Sequence, residues 1–386
     1  MNRMTKDKRN ILIITGRYLP GYKDGGPVRS IKNLVDYLGD QYNFKILTCD
    51  RDHGDPEAYP NVKIHDWNKV GNAQVYYVPP KGFTRSTIKK LASQVDLVYV
   101  CGCFSDYAIN TLLLKRLGLI KKPVFVAAMG LFSPMEFRLK YKKKKLFTTL
   151  FNMTGMFKNI YWSATSEMEV KEISEQVRTF NNFVIAEDLP RRVEDTLIDK
   201  VKTEGNLKVV WISRIAPKKN LIGAIEVLKR VRSHIEFTIY GPIHEPKYWE
   251  ACQAELQQLP PNVKWTYAGN VDSEQVVETL REHHVFLFPT LGENYGHVIQ
   301  EALSAGCYTL LSDQTPWQDL SQYGAGKVFR VDDIQGFVDE IERYAQLDHE
   351  QFSRRTKDVI AYVMNNNKLK VSHTGYHHIF GRGVVQ

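Results

Sequence analysis

The chain has 386 residues, of which 43 % are apolar, 11 % aromatic and 25 % charged, a composition that excludes a disordered chain and at about 150 residues per domain suggests two domains. Its net charge of +9 is uneven: residues 1–80 sum to +3, 81–150 to +11 and 151–386 to −5. No apolar run reaches the ~18 residues that a membrane-spanning helix needs, and Ile11–Ile14, behind a charged N-terminus, is too short for the apolar core of a signal peptide. A cytoplasmic protein is therefore expected.

Short apolar runs alternate with longer amphipathic stretches, the rhythm of parallel β/α units. Strands are predicted at Ile11–Thr15, Phe44–Thr48, Val75–Val78, Leu97–Cys101, Val124–Ala128 and Ile160–Ala164. After a charged linker near Val193–Asn206 a second set follows at Lys208–Ile212, Glu236–Tyr240, Val263–Ala268, Val285–Pro289 and Tyr308–Leu311. Helices are expected at Val28–Leu38, Asn220–Val231 and His297–Ala305. The economical reading is two doubly wound α/β domains, at 1–195 and 200–367.

Between the first strand and the first helix, Gly21 to Gly26 form a glycine-containing turn whose backbone N–H groups could face an anion; a plain tight turn is the competing reading. Asp50-Arg-Asp52 has the Asp-x-Asp form that binds manganese in some enzymes. Its place at a strand end of the first half, far in sequence from any phosphate-binding pair, reads instead as two loop aspartates. Five scattered cysteines fit a reducing compartment, with Cys101 and Cys103 as strand-end residues, so no metal is assigned.

The positive charge peaks in Arg138-Leu-Lys-Tyr-Lys-Lys-Lys-Lys145, followed by Leu146, Phe147, Leu150 and Phe151 at helical spacing. Cations beside apolar groups on one helix suit an anionic membrane surface, at about 1 kcal/mol per lysine. Arg138, Lys140, Lys142, Lys143, Lys144 and Lys145 are therefore expected to face the membrane. A solvated face is the alternative, and no base-reading motif supports nucleic acid.

Two turns in the second half carry the chemistry. In Trp211-Ile-Ser-Arg-Ile-Ala-Pro-Lys-Lys-Asn220, Arg214 and Lys219 lie past a strand end, where open α/β sheets bind ligands, and Asn220 is a plausible N-cap. In Phe288-Pro-Thr-Leu-Gly-Glu-Asn-Tyr-Gly-His-Val-Ile-Gln-Glu301, Glu293 lies in the loop and Glu301 in the following helix, about 6 Å along it. Cations and a helix N-terminus want phosphates, whereas carboxylates want hydroxyls. A nucleotide sugar supplies both.

The Glu-x7-Glu stretch, with Arg214 and Lys219 upstream and Gly25-Gly26 near the start, resembles the retaining glycosyltransferases of family 4. That resemblance implies the GT-B fold, two Rossmann-like domains facing each other across a cleft, with roughly 368–386 packing back on the first. It implies Arg214 and Lys219 as the pair that neutralises the donor diphosphate in place of a metal, and Glu301 as the partner of the ribose hydroxyls. Glu293, with Asn294, Tyr295 and Gly296, matches the loop that holds the donor sugar; Gly25 and Gly26 resemble the first-domain loop closing over the diphosphate. The first half departs from the family at Ala128-Met-Gly-Leu-Phe-Ser-Pro134, Ser163-Ala-Thr-Ser-Glu167 and Ala186-Glu-Asp-Leu-Pro190, so no catalytic group is carried over there.

The activity implied is metal-independent, retaining transfer of a sugar from a nucleoside-diphosphate sugar, UDP foremost, to a hydroxyl of a lipid-linked or polysaccharide acceptor. The setting would be bacterial surface-glycan synthesis on the inner face of the cell membrane, with no cofactor beyond the donor substrate. A nucleotide-sugar epimerase of the same fold and a silent nucleotide-sugar-binding subunit are the rivals.

Overall fold

The apolar runs become the centres of two parallel sheets in the computed structural model, which describes residues 8–138, 141–191, 200–272, 274–293, 295–365 and 373–381. The chain divides into two units, Met1–Leu189 with Ser372–Gln386, and Pro190–Val371.

In the first unit the strands are β1 (Asn10–Ile14), β2 (Asn43–Cys49), β3 (Trp67–Val70), β4 (Ala73–Val78), β5 (Leu97–Cys101), β6 (Val124–Ala127), β7 (Tyr161–Ala164) and β8 (Phe183–Ile185). They pair in the order β3-β4-β2-β1-β5-β6-β7-β8, parallel except for the antiparallel β3–β4 pair. Central strands are buried on both faces, which is why they read as unbroken apolar runs: in β1, Ile11, Leu12, Ile13 and Ile14 are all buried. The edge strands β3 and β8 are partly exposed and were not expected, since an edge needs no such run.

In the second unit β9 (Asn206–Ile212), β10 (His234–Tyr240), β11 (Val263–Tyr267), β12 (Val285–Phe288), β13 (Tyr308–Ser312) and β14 (Gly326–Phe329) form an all-parallel sheet in the order β11-β10-β9-β12-β13-β14. The half-exposed edge β14 was likewise not expected. The core packs large side chains from sheet and helices together, among them Trp211, Phe237, Phe286, Phe288, Phe337 and Phe352.

Each sheet grows outward from one strand and then returns to that strand's other side, at β1/β5 in the first unit and at β9/β12 in the second. Where strand order reverses, the loops leaving the carboxyl ends diverge and open a crevice. The candidate site lies at the second of these points.

The helix Thr374–Gly381 completes the first unit. The Phe380 ring meets Tyr42, Phe44 and Tyr99, the Phe380 carbonyl accepts from Arg9 Nη1 (2.9 Å), and Tyr42 Oη lies 3.0 Å from His377 Nδ1. A side chain at Gly375 would meet the Ile185 carbonyl at 2.2 Å, so only glycine allows this approach.

Candidate functional site

The loop after β9 is shaped by close backbone contacts. Ser213 N–H donates to the Tyr240 carbonyl (3.2 Å) and Ile215 N–H to Pro242 (2.9 Å). A Cβ at Gly241 would sit 1.9 Å from the Ser213 carbonyl oxygen, so glycine is required where β10 ends. Arg214 lies in this loop, and a short 3-10 turn, Pro217–Lys219, follows. Asn220 adopts a left-handed conformation (φ 53°), and its Oδ1 accepts from Gly223 N–H (3.1 Å), capping the helix Leu221–Leu228 as expected.

The same Asn220 ties this loop to the one after β12: its Nδ2 donates to the Pro289 carbonyl (2.8 Å). The Lys218 carbonyl accepts from Leu291 N–H (2.8 Å) and from Thr290 Oγ1 (3.1 Å), completing the staple. Glu293 N–H is held by the Gln314 carbonyl (3.0 Å), fixing the backbone from which the Glu293 side chain projects. The staple brings Lys219 and Glu293 together: Lys219 Nζ donates to Glu293 Oε1 in an ion pair whose side chains are 11 % and 14 % exposed. Burial lowers the Lys219 pKa; Glu293 opposes this, and the neighbouring charges of Arg214 and Lys218 add to the lowering. Three cations in the loop and short turn at the carboxyl end of β9 form an anion-seeking surface.

The second loop continues into the helix His297–Ser304. Gly296 is its N-cap residue with φ 80°, a left-handed conformation that favours glycine. Tyr295 precedes it, its carbonyl accepting from Trp317 Nε1 (2.6 Å) and its ring 4.8 Å from that of His297. Glu301, one turn in, is buried (3 % exposed) and engaged in interactions of its own. Asn294 lies outside the described residues. Gln300, which the sequence reading passed over, clamps Arg191 by accepting from its N–H (3.0 Å) and donating to its carbonyl (3.1 Å). Trp317 and Gln314 were also missed; they lie beyond β13 and carry no local motif.

Gly25 and Gly26 belong to the first unit. Gly25 has φ 64° and precedes the helix Gly26–Leu38, and a Cβ at either glycine would meet nothing within 4 Å. Gly25 is thus required for its backbone angle, not for space. The loop is organised by Asp52, whose Oδ2 accepts from Tyr22 N–H (2.8 Å) and Lys23 N–H (3.1 Å) while Oδ1 accepts from His53 N–H (2.8 Å). Asp50 and Asp52, read from sequence as ordinary loop aspartates, are both buried, and Asp50 binds Arg51 Nε (2.8 Å). Among the described residues no group of three or more His, Cys, Asp or Glu side chains is arranged to hold a metal ion.

The first unit also shields two acidic side chains, Glu169 buried and Asp188 half-buried. Glu169 accepts from Gly130 N–H (2.6 Å), Thr165 N–H (2.7 Å) and Thr165 Oγ1 (2.8 Å), pinning the turn after β6, where Met129 is left-handed (φ 54°). Asp188 lines a small cavity with Ser30, Tyr99, Cys101, Ser163 and Tyr376. Burial, with the Glu169 carboxylate second, raises its pKa to about 7 against the opposing hydrogen bond from Ser30.

The basic segment forms the helix Pro134–Arg138 and, from Tyr141 to Thr154, a second helix with two apolar faces. Phe147 and Phe151 turn inward, Phe147 meeting Phe104 at 5.4 Å between ring centroids. Leu146, Leu150 and Met153 are exposed at 72 %, 53 % and 75 %, beside exposed Lys142, Lys143 and Lys145. Arg138 is exposed as well. Lys144 instead folds back, its Nζ donating to the Glu136 carbonyl and lying 5.6 Å from the Phe104 ring centroid. Lys140 lies outside the described residues.

Residues 193–359 match a protein-family model described as glycosyl transferases group 1. No curated protein matches the chain. Among solved structures, HepE from Anabaena in complex with UDP and glucose superposes with a TM-score of 0.68 at 13 % identity, covering 97 % of this chain and all of that one. WaaG, a glycosyltransferase involved in lipopolysaccharide biosynthesis, gives 0.66 at 13 % identity, covering 96 % of this chain and all of the other. A UDP-forming trehalose-phosphate synthase from Burkholderia xenovorans in complex with glucose-6-phosphate gives 0.66 at 11 % identity, covering 96 % and 99 %. At these identities the likeness establishes the architecture: two Rossmann-like α/β sheets of the GT-B type.

Proposed function

We propose that this protein is a glycosyltransferase that moves a sugar from a UDP-sugar to a hydroxyl of a lipid-linked or polysaccharide acceptor, with retained anomeric configuration and without a metal. One observation carries the reading: Arg214, Lys218 and Lys219 share the loop and short turn after β9, which are stapled to the loop carrying Glu293 at the point where strand order reverses. The match of residues 193–359 to group 1 glycosyltransferases supports it, as does the UDP bound in the HepE structure. The glycosidic bond to the diphosphate oxygen breaks and a bond to the acceptor oxygen forms. The acceptor's proton passes to the leaving phosphate, whose growing negative charge Arg214 and Lys219 stabilise. Tyr295 and Gly296 line the donor-sugar side, and Glu301 meets the ribose hydroxyls.

The acceptor is met at an anionic membrane surface. The exposed stripe Leu146, Leu150 and Met153, at helical spacing beside Lys142, Lys143 and Lys145, supports this reading. It fits surface-glycan synthesis on the inner face of a bacterial membrane. The decisive experiment is turnover of UDP-sugars in EDTA by the wild type and by Lys219→Ala. A loss of about 10²–10³-fold is expected for removing one charge-stabilising donor; wild-type rates from the variant would overturn the phosphate assignment.

A further inference from the structure

The residue read as the phosphate ligand, Lys219, is engaged in this structure with the residue read as the sugar ligand, Glu293. The sequence placed the two on different parts of one substrate, so their mutual ion pair is new information. Their backbones are held independently of the pair, Lys219 by the capped turn before Leu221–Leu228 and Glu293 by the Gln314 carbonyl. The ammonium also lies 5.8 Å from the Phe288 ring centroid, under cover of the sheet end. A diphosphate that recruits this ammonium must share it with a carboxylate or displace that carboxylate, and a phosphate oxygen beside Glu293 is repelled.

We infer that Glu293 is a specificity-determining gate, which holds Lys219 in the donor-free protein and sets loaded donor apart from spent nucleotide. The inference rests on the glycosyltransferase reading above. A free nucleoside diphosphate separates Glu293 from Lys219 and offers the displaced carboxylate nothing. A sugar donor offers it hydroxyl groups as new hydrogen-bond donors, so the opening is compensated. The gate therefore weakens product relative to donor and favours release of the nucleotide after transfer.

The test is calorimetric titration with UDP and with UDP-glucose of the wild type, Glu293→Gln, Glu293→Ala and Lys219→Ala, with melting curves to confirm folding. Removing the carboxylate charge should tighten UDP by roughly tenfold while leaving UDP-glucose unchanged or weaker, so that the preference for loaded donor falls. UDP affinity unchanged or reduced in both Glu293 variants, with Lys219→Ala still weakening UDP, overturns the gate and leaves the donor site standing. UDP affinity indifferent to Lys219→Ala, or no UDP binding by any form, overturns the donor reading itself and the gate with it.

Discussion

Replacing Asp188 by asparagine should make the first unit more stable at pH 8 and change it much less at pH 5. The reason lies in the surroundings of this carboxyl. It faces Ser30 from the helix Gly26–Leu38, Tyr99 and Cys101 from β5, Ser163 from β7, Tyr376 from the C-terminal helix, and the charge of Glu169. Burial, with Glu169 second, raises its pKa from an ordinary 3.8 to about 7. An acid whose folded pKa lies above its unfolded value is fully stabilising below the unfolded value, and that stability is lost as pH rises through the folded one. A shift of about three units corresponds to roughly 4 kcal/mol in all, of which roughly 2–3 kcal/mol disappears between pH 5 and pH 8. On the scaling for units of 150–250 residues this is roughly 5–10 °C in midpoint. Asparagine keeps the shape and removes the titration. Peptide-resolved hydrogen exchange at pH 5 and 8, normalised for the intrinsic pH dependence of exchange, would read the first unit alone. If Asp188→Asn follows the wild-type loss between the two values, the carboxyl is already ionised in the folded protein and the reasoning fails.

The second unit should respond to pH with the opposite sign. His284 Nδ1 accepts from Lys208 N–H (3.0 Å), so the ring is neutral with its Nε2 proton toward the Val201 carbonyl (3.0 Å), and burial lowers its pKa to about 3. A depressed pKa gives stability that is present above ~6.5 and lost as pH falls, about 3 kcal/mol by pH 4. His284→Gln, which can still accept and donate, should flatten the acid side of a denaturation series; an unaltered acid midpoint would refute this. Glu301→Ala should weaken UDP-sugar binding several-fold or more by isothermal titration, and an unchanged dissociation constant would remove its ribose role. Glutamine at Lys142, Lys143 and Lys145 together should lower binding to anionic vesicles and flatten its salt dependence, with binding to neutral vesicles as the control; equal binding of both proteins would return the helix to a solvated face.

What could be read from the sequence followed how local the cause of each feature is. Central strands are written in contiguous residues, because burial on both faces demands apolar side chains throughout, so β1 and β12 stand out unaided. The edges β3, β8 and β14 are only half covered and lack that signature. The turn at 214–220 was legible because proline, lysine and a capping asparagine act within one turn of each other. Its stapling to residues 289–291 was not, since Asn220 reaches Pro289 across 69 positions through a backbone carbonyl that any residue would supply. The first unit was read least well. Its hydrogen-bonded acids, Glu169 and Asp188, lie in stretches that look like ordinary loop and helix, and nothing in sequence spacing marks a side chain as shielded from water. Likewise Phe147 and Leu146 are equivalent as apolar residues behind a lysine run, yet one packs on Phe104 and the other stands in solvent.

The two units place their charges differently. At the β9/β12 reversal the charges are concentrated and only partly covered: three cations in the loop and short turn after β9, one of them paired with Glu293, beside a helix that begins at His297. The Lys219–Glu293 pair has an alternative in phosphate for the ammonium and in hydroxyl for the carboxylate. In the first unit Asp52 holds the amides of Tyr22 and Lys23 in the loop after β1, and Glu169 holds the turn at Gly130 after β6. Those carboxylates already have their hydrogen-bond donors from the backbone, and releasing them would leave buried amides unpaired. The first unit's acids thus shape loops, while in the second unit Lys219 and Glu293 are held by each other. The opposite pH responses expected of the two units come from other groups: Asp188, raised to about 7, and His284, lowered to about 3.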